Sequence, residues 1–150
     1  SHLRGRAATI GVAVFPRVVM HELFEHTADL GLRGRSADLN GLFAEMAACL
    51  FAAIVEDPTT IRPDETVSVD REYLMFDWLK ELLYRFDADH LLFRDFAVTV
   101  GPDGLSAACR GEPLDPARHV LSREVKAITY HELKVEPTPD GWLAEVIVDI

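Results

Sequence analysis

Only two cysteines, Cys49 and Cys109, occur in the 150-residue sequence, too few for the disulfide framework on which small secreted domains rely. They sit in a helix-like and a strand-like context and are expected as buried free thiols. No apolar run approaches the roughly 20 residues that carry a helix across a bilayer. Cations are also short: 15 Lys and Arg stand against 25 Asp and Glu, a formal charge of −10. That excludes the cationic footprint by which proteins displace counterions from duplex nucleic acid or settle on anionic membranes. It favours partners that are cations or proteins with basic faces. Phosphate loops are missing too, because Gly31–Gly34 and Gly101–Gly104 lack the spacing and the strand-to-helix context. No Gly-x-Ser-x-Gly occurs, and neither cysteine has an evident His partner, so nucleophilic triads are unsupported.

What is there is globular: 49% apolar and 27% charged residues, in a length that suits one domain with a proper core. Charge is uneven, with five Arg against three acids in residues 1–35 but 10 basic against 22 acidic groups in residues 36–150. The opening residues mix Arg with a short apolar run, Ala7 to Val14, in imitation of a signal peptide. They lack a small-residue cleavage site, and Pro16-Arg17 breaks the run too early. Residues 1–19 are therefore expected to be an extension upstream of an alternative start at Met20, with Ser1-His2 a cloning remnant and a cytoplasmic location by default.

Leu23 to Arg35 reads as extended. Ser36 or Asp38 can cap a helix after it. Leu39, Leu42, Phe43, Met46, Ala47, Leu50, Phe51 and Ile54 recur at helical spacing, so Asp38–Val55 is an amphipathic helix, stopped at Asp57-Pro58. Thr66–Val69 looks like a short strand, and Met75, Trp78, Leu79, Leu82 and Phe86 mark a second amphipathic helix. Phe96, Val98 and Val100 then alternate into Gly101-Pro-Asp-Gly104, a hairpin signal before a strand from Leu105 to Arg110. Glu112–Pro116 reads as a rigid loop. Val125–Val135 and Trp142–Ile150 read as two strands joined by Pro137–Gly141. Two helices and six or so strands, several in hairpins, predict an α+β domain with antiparallel pairing.

Three stretches can carry chemistry. His21–Asp29 packs two His and three acids into one extended segment; on a strand, His21, Glu25, Thr27 and Asp29 share one face and Glu22, Phe24, His26 and Ala28 the other. His and Asp without Cys is a poor zinc signature, and the plain alternative is a row of partly exposed polar residues. The C-terminal Val146–Ile150 is apolar except for Asp149, which sits beside the α-carboxylate of Ile150. Adjacent anions repel unless a cation or a proton relieves them. If the first strand pairs nearby, Asp29 adds a third carboxylate, an all-oxygen set that suits Ca²⁺ or Mg²⁺. In Glu124–His131, Lys126, Ile128 and Tyr130 fall on one strand face and Val125, Ala127, Thr129 and His131 on the other. Lys126 is either a solvated side chain, a counter-ion to a nearby carboxylate, or a contact for a partner's phosphate. His90 and His119 are expected in loops, facing solvent.

Phe24-Glu-His-Thr-Ala-Asp-Leu-Gly31 resembles the opening signature of the archease family. Gly111–Asp115, Glu124–His131 and Val148-Asp149-Ile150 are similar to its later blocks, in the same order, over about residues 20–150. The resemblance implies an α+β fold built on a strand–helix–strand–strand module with an insertion. It implies a cytoplasmic, non-catalytic accessory protein of the RNA ligase that joins tRNA exon halves. Such a protein promotes guanylylation of a ligase histidine and multiple turnover, so GTP and tRNA are involved only indirectly and direct nucleic-acid binding is not expected. It implies a divalent ion, often seen as Ca²⁺ with Mg²⁺ or Mn²⁺ as alternatives, held by Asp29, Asp149 and the terminal carboxylate of Ile150. Lys126 matches a basic position of the family motif; with His26, Tyr130 and His131 it is a candidate for partner contact or support of the site. Two other readings are a chaperone-like modulator of a tRNA methyltransferase and a stand-alone metal-dependent phosphohydrolase. Against the last stand the missing base–nucleophile pair and the lack of an Arg cluster close to Asp29 in sequence.

Overall fold

In the computed structural model, which describes residues 20–26, 29–71 and 75–150, Asp38 starts the first helix. Its backbone is extended, and its carboxylate accepts a hydrogen bond from the Gly41 N–H at 2.7 Å, satisfying a donor that a helix start leaves free. In chain order the elements are β1 (His21–His26), β2 (Asp29–Ser36), α1 (Leu39–Ile54), a 3₁₀ turn (Pro58–Thr60), β3 (Glu65–Arg71), α2 (Met75–Asp89), β4 (Leu91–Gly101), β5 (Gly104–Pro113), β6 (Ala127–Ile128), β7 (Lys134–Thr138) and β8 (Gly141–Asp149). The residues expected to form an N-terminal extension lie outside those described.

Every strand pair is antiparallel. Among the described residues one sheet has five strands, in the order β1-β2-β8-β6 with β7 also on β8, and the other has three, in the order β3-β5-β4. Helix α1 packs on β2 of the first sheet and β4 of the second, so the two sheets share one core. Leu42, Phe43, Met46, Leu50, Phe51 and Ile54 are buried there, at the spacing that gives a helix one apolar face. Helix α2 joins this core through Met75, Trp78, Leu79 and Leu82. The Trp78 Nε1–H donates to the Phe43 carbonyl at 2.8 Å, which removes the cost of burying an indole N–H. Phe51 meets Phe93 edge-on at 5.7 Å; side chains of this size each contribute roughly 1.5–3 kcal/mol by leaving water. The α+β architecture with two amphipathic helices and antiparallel sheets is thus the one the periodicities predict. Among the described residues, no helix is long and apolar enough to cross a membrane.

Several local expectations change. Leu23–Arg35 is not one extended stretch: β1 and β2 are separate strands paired from His21↔Gly34 to His26↔Asp29. Cross-strand partners share a face, so His26 and Asp29 lie on the same side and not on opposite sides; Thr27 lies outside the described residues. Val125–Val135 is interrupted, because Tyr130–Leu133 turns, with the Leu133 N–H donating to the Tyr130 carbonyl at 3.1 Å. Glu112 and Pro113 end β5, opposite Leu92 and Leu91, so only the rest of that Pro-rich segment is loop. Pro at a strand terminus leaves no interior ladder bond unmade. Lys134–Thr138 and Gly141–Asp149 form a hairpin, with Thr138 paired to Gly141.

Candidate functional site

The β2–β8 register pairs Leu30 with Val148 and Leu32 with Val146. These residues and Ala144 face the core, so by alternation Asp29, Gly31 and Arg33, with Asp149, Ile147 and Glu145, occupy the opposite, outer face. One step beyond Leu30↔Val148, Asp29 begins β2 where Asp149 ends β8. Asp29 is half-buried, whereas Asp149 and Ile150 are exposed. Asp149 is also paired with Ala127 of β6, and its carbonyl accepts from the Lys126 N–H at 2.7 Å. The sheet therefore gathers Asp29, Asp149 and the backbone of Lys126 at one end, and Ile150 comes directly after. The Lys126 side chain is exposed and lines a cleft of about 590 Å³ with Ile54, Phe86, Leu121 and Arg123.

Arg33 organises the same outer face. Its guanidinium pairs with Glu22 and, at 2.6 Å, with Glu145, and lies 4.3 Å above the Phe24 ring. Both ion pairs raise the Arg33 pKa, and the bond from Arg33 holds Glu22 below the usual carboxylate range. The Phe24 ring in turn covers Gly31, where a Cβ would fall 2.2 Å from Phe24 Cζ. A side chain at 31 is thus incompatible with this packing.

Beside Asp29, His26 Nε2 lies 3.0 Å from Glu132 Oε1, and the His26 and His131 rings meet edge-on with centroids 5.4 Å apart. The Tyr130 ring stacks on Phe76 of α2 at 3.8 Å, which anchors the turn that carries His131 and Glu132. Of the residues singled out in the sequence, His26 and His131 come together and Tyr130 braces their turn. Sequence reasoning misses Glu132: it lies 106 residues from His26, and its left-handed backbone (φ 52°) has no sequence signal at a Glu.

A second polar cluster is interior. Glu112 receives Arg118 Nη2 at 2.6 Å, the Arg62 N–H at 2.6 Å and His119 Nε2 at 2.9 Å. The Asp115 N–H donates to His119 Nδ1 at 2.8 Å, so Nε2 carries the proton that Glu112 accepts. His119, expected to face solvent, is instead buried, because Glu112 and the Asp115 amide satisfy both its nitrogens. The Arg118 bond above all holds the Glu112 pKa down at about 2. This clasp ties the 3₁₀ turn and the Pro-rich loop to β5, and it lies apart from Asp29. His90 is exposed, as expected. Cys49 and Cys109 are free and buried, and burial pushes each thiol up to about 12.

Comparison with known proteins agrees with this fold. The model of the archease protein family matches residues 21–150. Protein archease of Pyrococcus abyssi is 41% identical over 138 residues, covering 86% of this chain and 97% of the relative. That of Methanopyrus kandleri is 38% identical over 138 residues, covering 86% and 98%. The solution structure of protein 1598 of Methanobacterium thermoautotrophicum has a TM-score of 0.72 at 30% identity, covering 87% of this chain and 98% of that one. The fold and these similarities lead to one assignment: the chain belongs to the archease family.

Proposed function

We propose that this chain is a non-catalytic, cytoplasmic activator of the tRNA-splicing RNA ligase, acting through a divalent-ion site made of Asp29, Asp149 and the α-carboxylate of Ile150. The observation that carries the reading is the Leu30↔Val148 register, which brings two aspartates 120 residues apart in sequence to one end of a sheet. Family membership supports the rest. An all-oxygen donor set of this kind fits Ca²⁺ first, with Mg²⁺ or Mn²⁺ as alternatives, and is a poor match for softer metals. A bound ion would supply the positive charge that relieves carboxylates crowded on neighbouring strands.

The remaining residues position this end of the sheet. The Lys126 amide and the pairing with Ala127 hold the Asp149 backbone, and the exposed Lys126 side chain can reach a partner's anionic group. Phe24 and Arg33 stiffen the outer face behind Asp29. The net charge of −10 suits docking on a basic, RNA-binding protein and disfavours direct contact with tRNA. The ligase would keep its own catalytic groups. This chain would favour the ligase conformation that accepts GTP, shifting a population instead of entering the reaction.

A multiple-turnover ligation assay with the cognate ligase, GTP and Mn²⁺ tests the proposal. Wild type should stimulate turnover, and Asp29→Ala should lose stimulation by about tenfold or more, the scale of a damaged ligand environment, with its circular dichroism unchanged. Stimulation that survives Asp29→Ala would remove the ion site while keeping the accessory role. No stimulation by wild type would remove that role.

A further inference from the structure

Between β6 and β7 the register against β8 shifts by three residues, since Ala127 faces Asp149 but Lys134 faces Glu145. The excess chain is the turn that carries His131 and Glu132. In the sheet, β2 and β8 lie between β1 and β6, yet this turn reaches His26 at the end of β1. It must therefore fold over the strands that carry Asp29 and Asp149. Glu132 takes a left-handed backbone there (φ 52°), a conformation a residue with a Cβ adopts only when its surroundings hold it.

The result is a convergence of nitrogen and oxygen donors. One oxygen of Glu132 lies 3.0 Å from His26 Nε2 and the other 3.6 Å from His131 Nε2, and one donor atom from each residue falls within 4.8 Å of the other two. A tetrahedral Zn²⁺ with bonds of about 2.0–2.2 Å to nitrogen and oxygen needs donor-to-donor edges of roughly 3.3–3.5 Å. The two observed separations start from different oxygens of Glu132, so binding through one of them requires the carboxylate to turn between the two imidazoles, which its exposure allows. The nitrogen His26 would offer is Nε2, which faces Glu132, while its Nδ1 is buried without a hydrogen-bond partner among the described residues.

We infer that His26, His131 and Glu132 form a second cation site, for a borderline first-row ion of the Zn²⁺ class. It is chemically distinct from the hard, all-oxygen set of Asp29, Asp149 and Ile150, and it does not depend on the ligase reading. Two imidazoles and one carboxylate select nitrogen-loving ions over Ca²⁺, and three protein ligands leave a coordination position open. The His26↔Asp29 pair places the two sites side by side on one face.

Co²⁺, whose visible absorption reports coordination geometry, is the probe. Full-length protein freed of metal with a chelator is titrated with Co²⁺, then challenged with Zn²⁺ and with Ca²⁺. A low-symmetry Co²⁺ band should saturate at one equivalent and disappear with Zn²⁺ but not with excess Ca²⁺. His131→Ala and Glu132→Gln should each weaken Co²⁺ by about tenfold or more and leave Ca²⁺ binding unchanged. Both side chains are at least 60% exposed, so the fold should tolerate either change, with circular dichroism as the check. Asp149→Asn should leave the Co²⁺ band in place. No band, a band that survives His131→Ala and Glu132→Gln, or a band lost in Asp149→Asn would overturn the inference.

Discussion

Leu30 of β2 faces Val148 of β8 across an antiparallel pair, and this buried contact determines what the next two residues can do. It carries Asp29 and Asp149 to the same end of the sheet, where like charges on neighbouring strands oppose folding by about 0.2–1 kcal/mol. Without divalent ions, Asp149→Asn should therefore match or exceed wild type in stability by that amount. With saturating Ca²⁺ the order should reverse, because an ion bound only to the folded state stabilises it in proportion to RT ln(1 + [ion]/Kd). Urea midpoints with and without Ca²⁺ check both signs. A Ca²⁺ effect of equal size in wild type and variant would contradict the ligand assignment.

Acid stability should depend on Glu112. Its pKa is about 2 when folded against an ordinary 4.5. Because the folded value is the lower, its stabilisation is complete above about pH 4.5 and is lost as pH falls toward 2. Glu112→Gln should cost on the order of 2 kcal/mol near neutral pH, leaving Arg118 and His119 with a weaker acceptor. It should also flatten the fall in urea midpoint between those two pH values. A variant with the same acid slope as wild type would show that other carboxylates control it.

Gly31→Ala should destabilise by about 1–3 kcal/mol, the usual cost of forcing extra atoms into a packed site, because the new methyl would meet the Phe24 ring. Phe24→Leu in the same chain should recover part of that loss. A double-mutant cycle with no coupling between positions 24 and 31 would refute the contact as the cause.

Neither cysteine should react readily with an aromatic disulfide reagent in the native state. Both thiols are buried and pushed up to about 12, which starves the reaction of thiolate. Modification should track unfolding across a denaturant series. Rapid labelling of folded protein would contradict the burial.

The elements are legible in the sequence where one face is apolar at a fixed period. Leu42, Met46 and Leu50 specify α1, and the Gly101–Gly104 turn specifies the β4–β5 hairpin. The residues that gather the site are not legible from periodicity. Asp29 and Asp149 reach one end of the sheet only through a β2–β8 register that no local spacing encodes, and the family resemblance alone implies their proximity. The separation of β1 from β2 is invisible because Leu23–Arg35 carries extended-chain residues throughout, and a single strand there puts His26 and Asp29 on opposite faces. Glu132 escapes notice because its turn has neither Gly nor Asn at the left-handed position. His119 is misjudged because a buried histidine needs partners, and Glu112 lies within a segment that looks like plain Pro-rich loop.

The most direct measurement tracks transfer of labelled guanylate from GTP to the cognate RNA ligase in the presence of Mn²⁺. It compares ligase alone, ligase with this protein, and ligase with the Asp149→Asn variant. Wild type should raise the fraction of labelled ligase well above ligase alone, and Asp149→Asn should not. Equal labelling in all three reactions, with ligase alone far from saturation, would contradict a role in guanylylation and the carboxylate site with it.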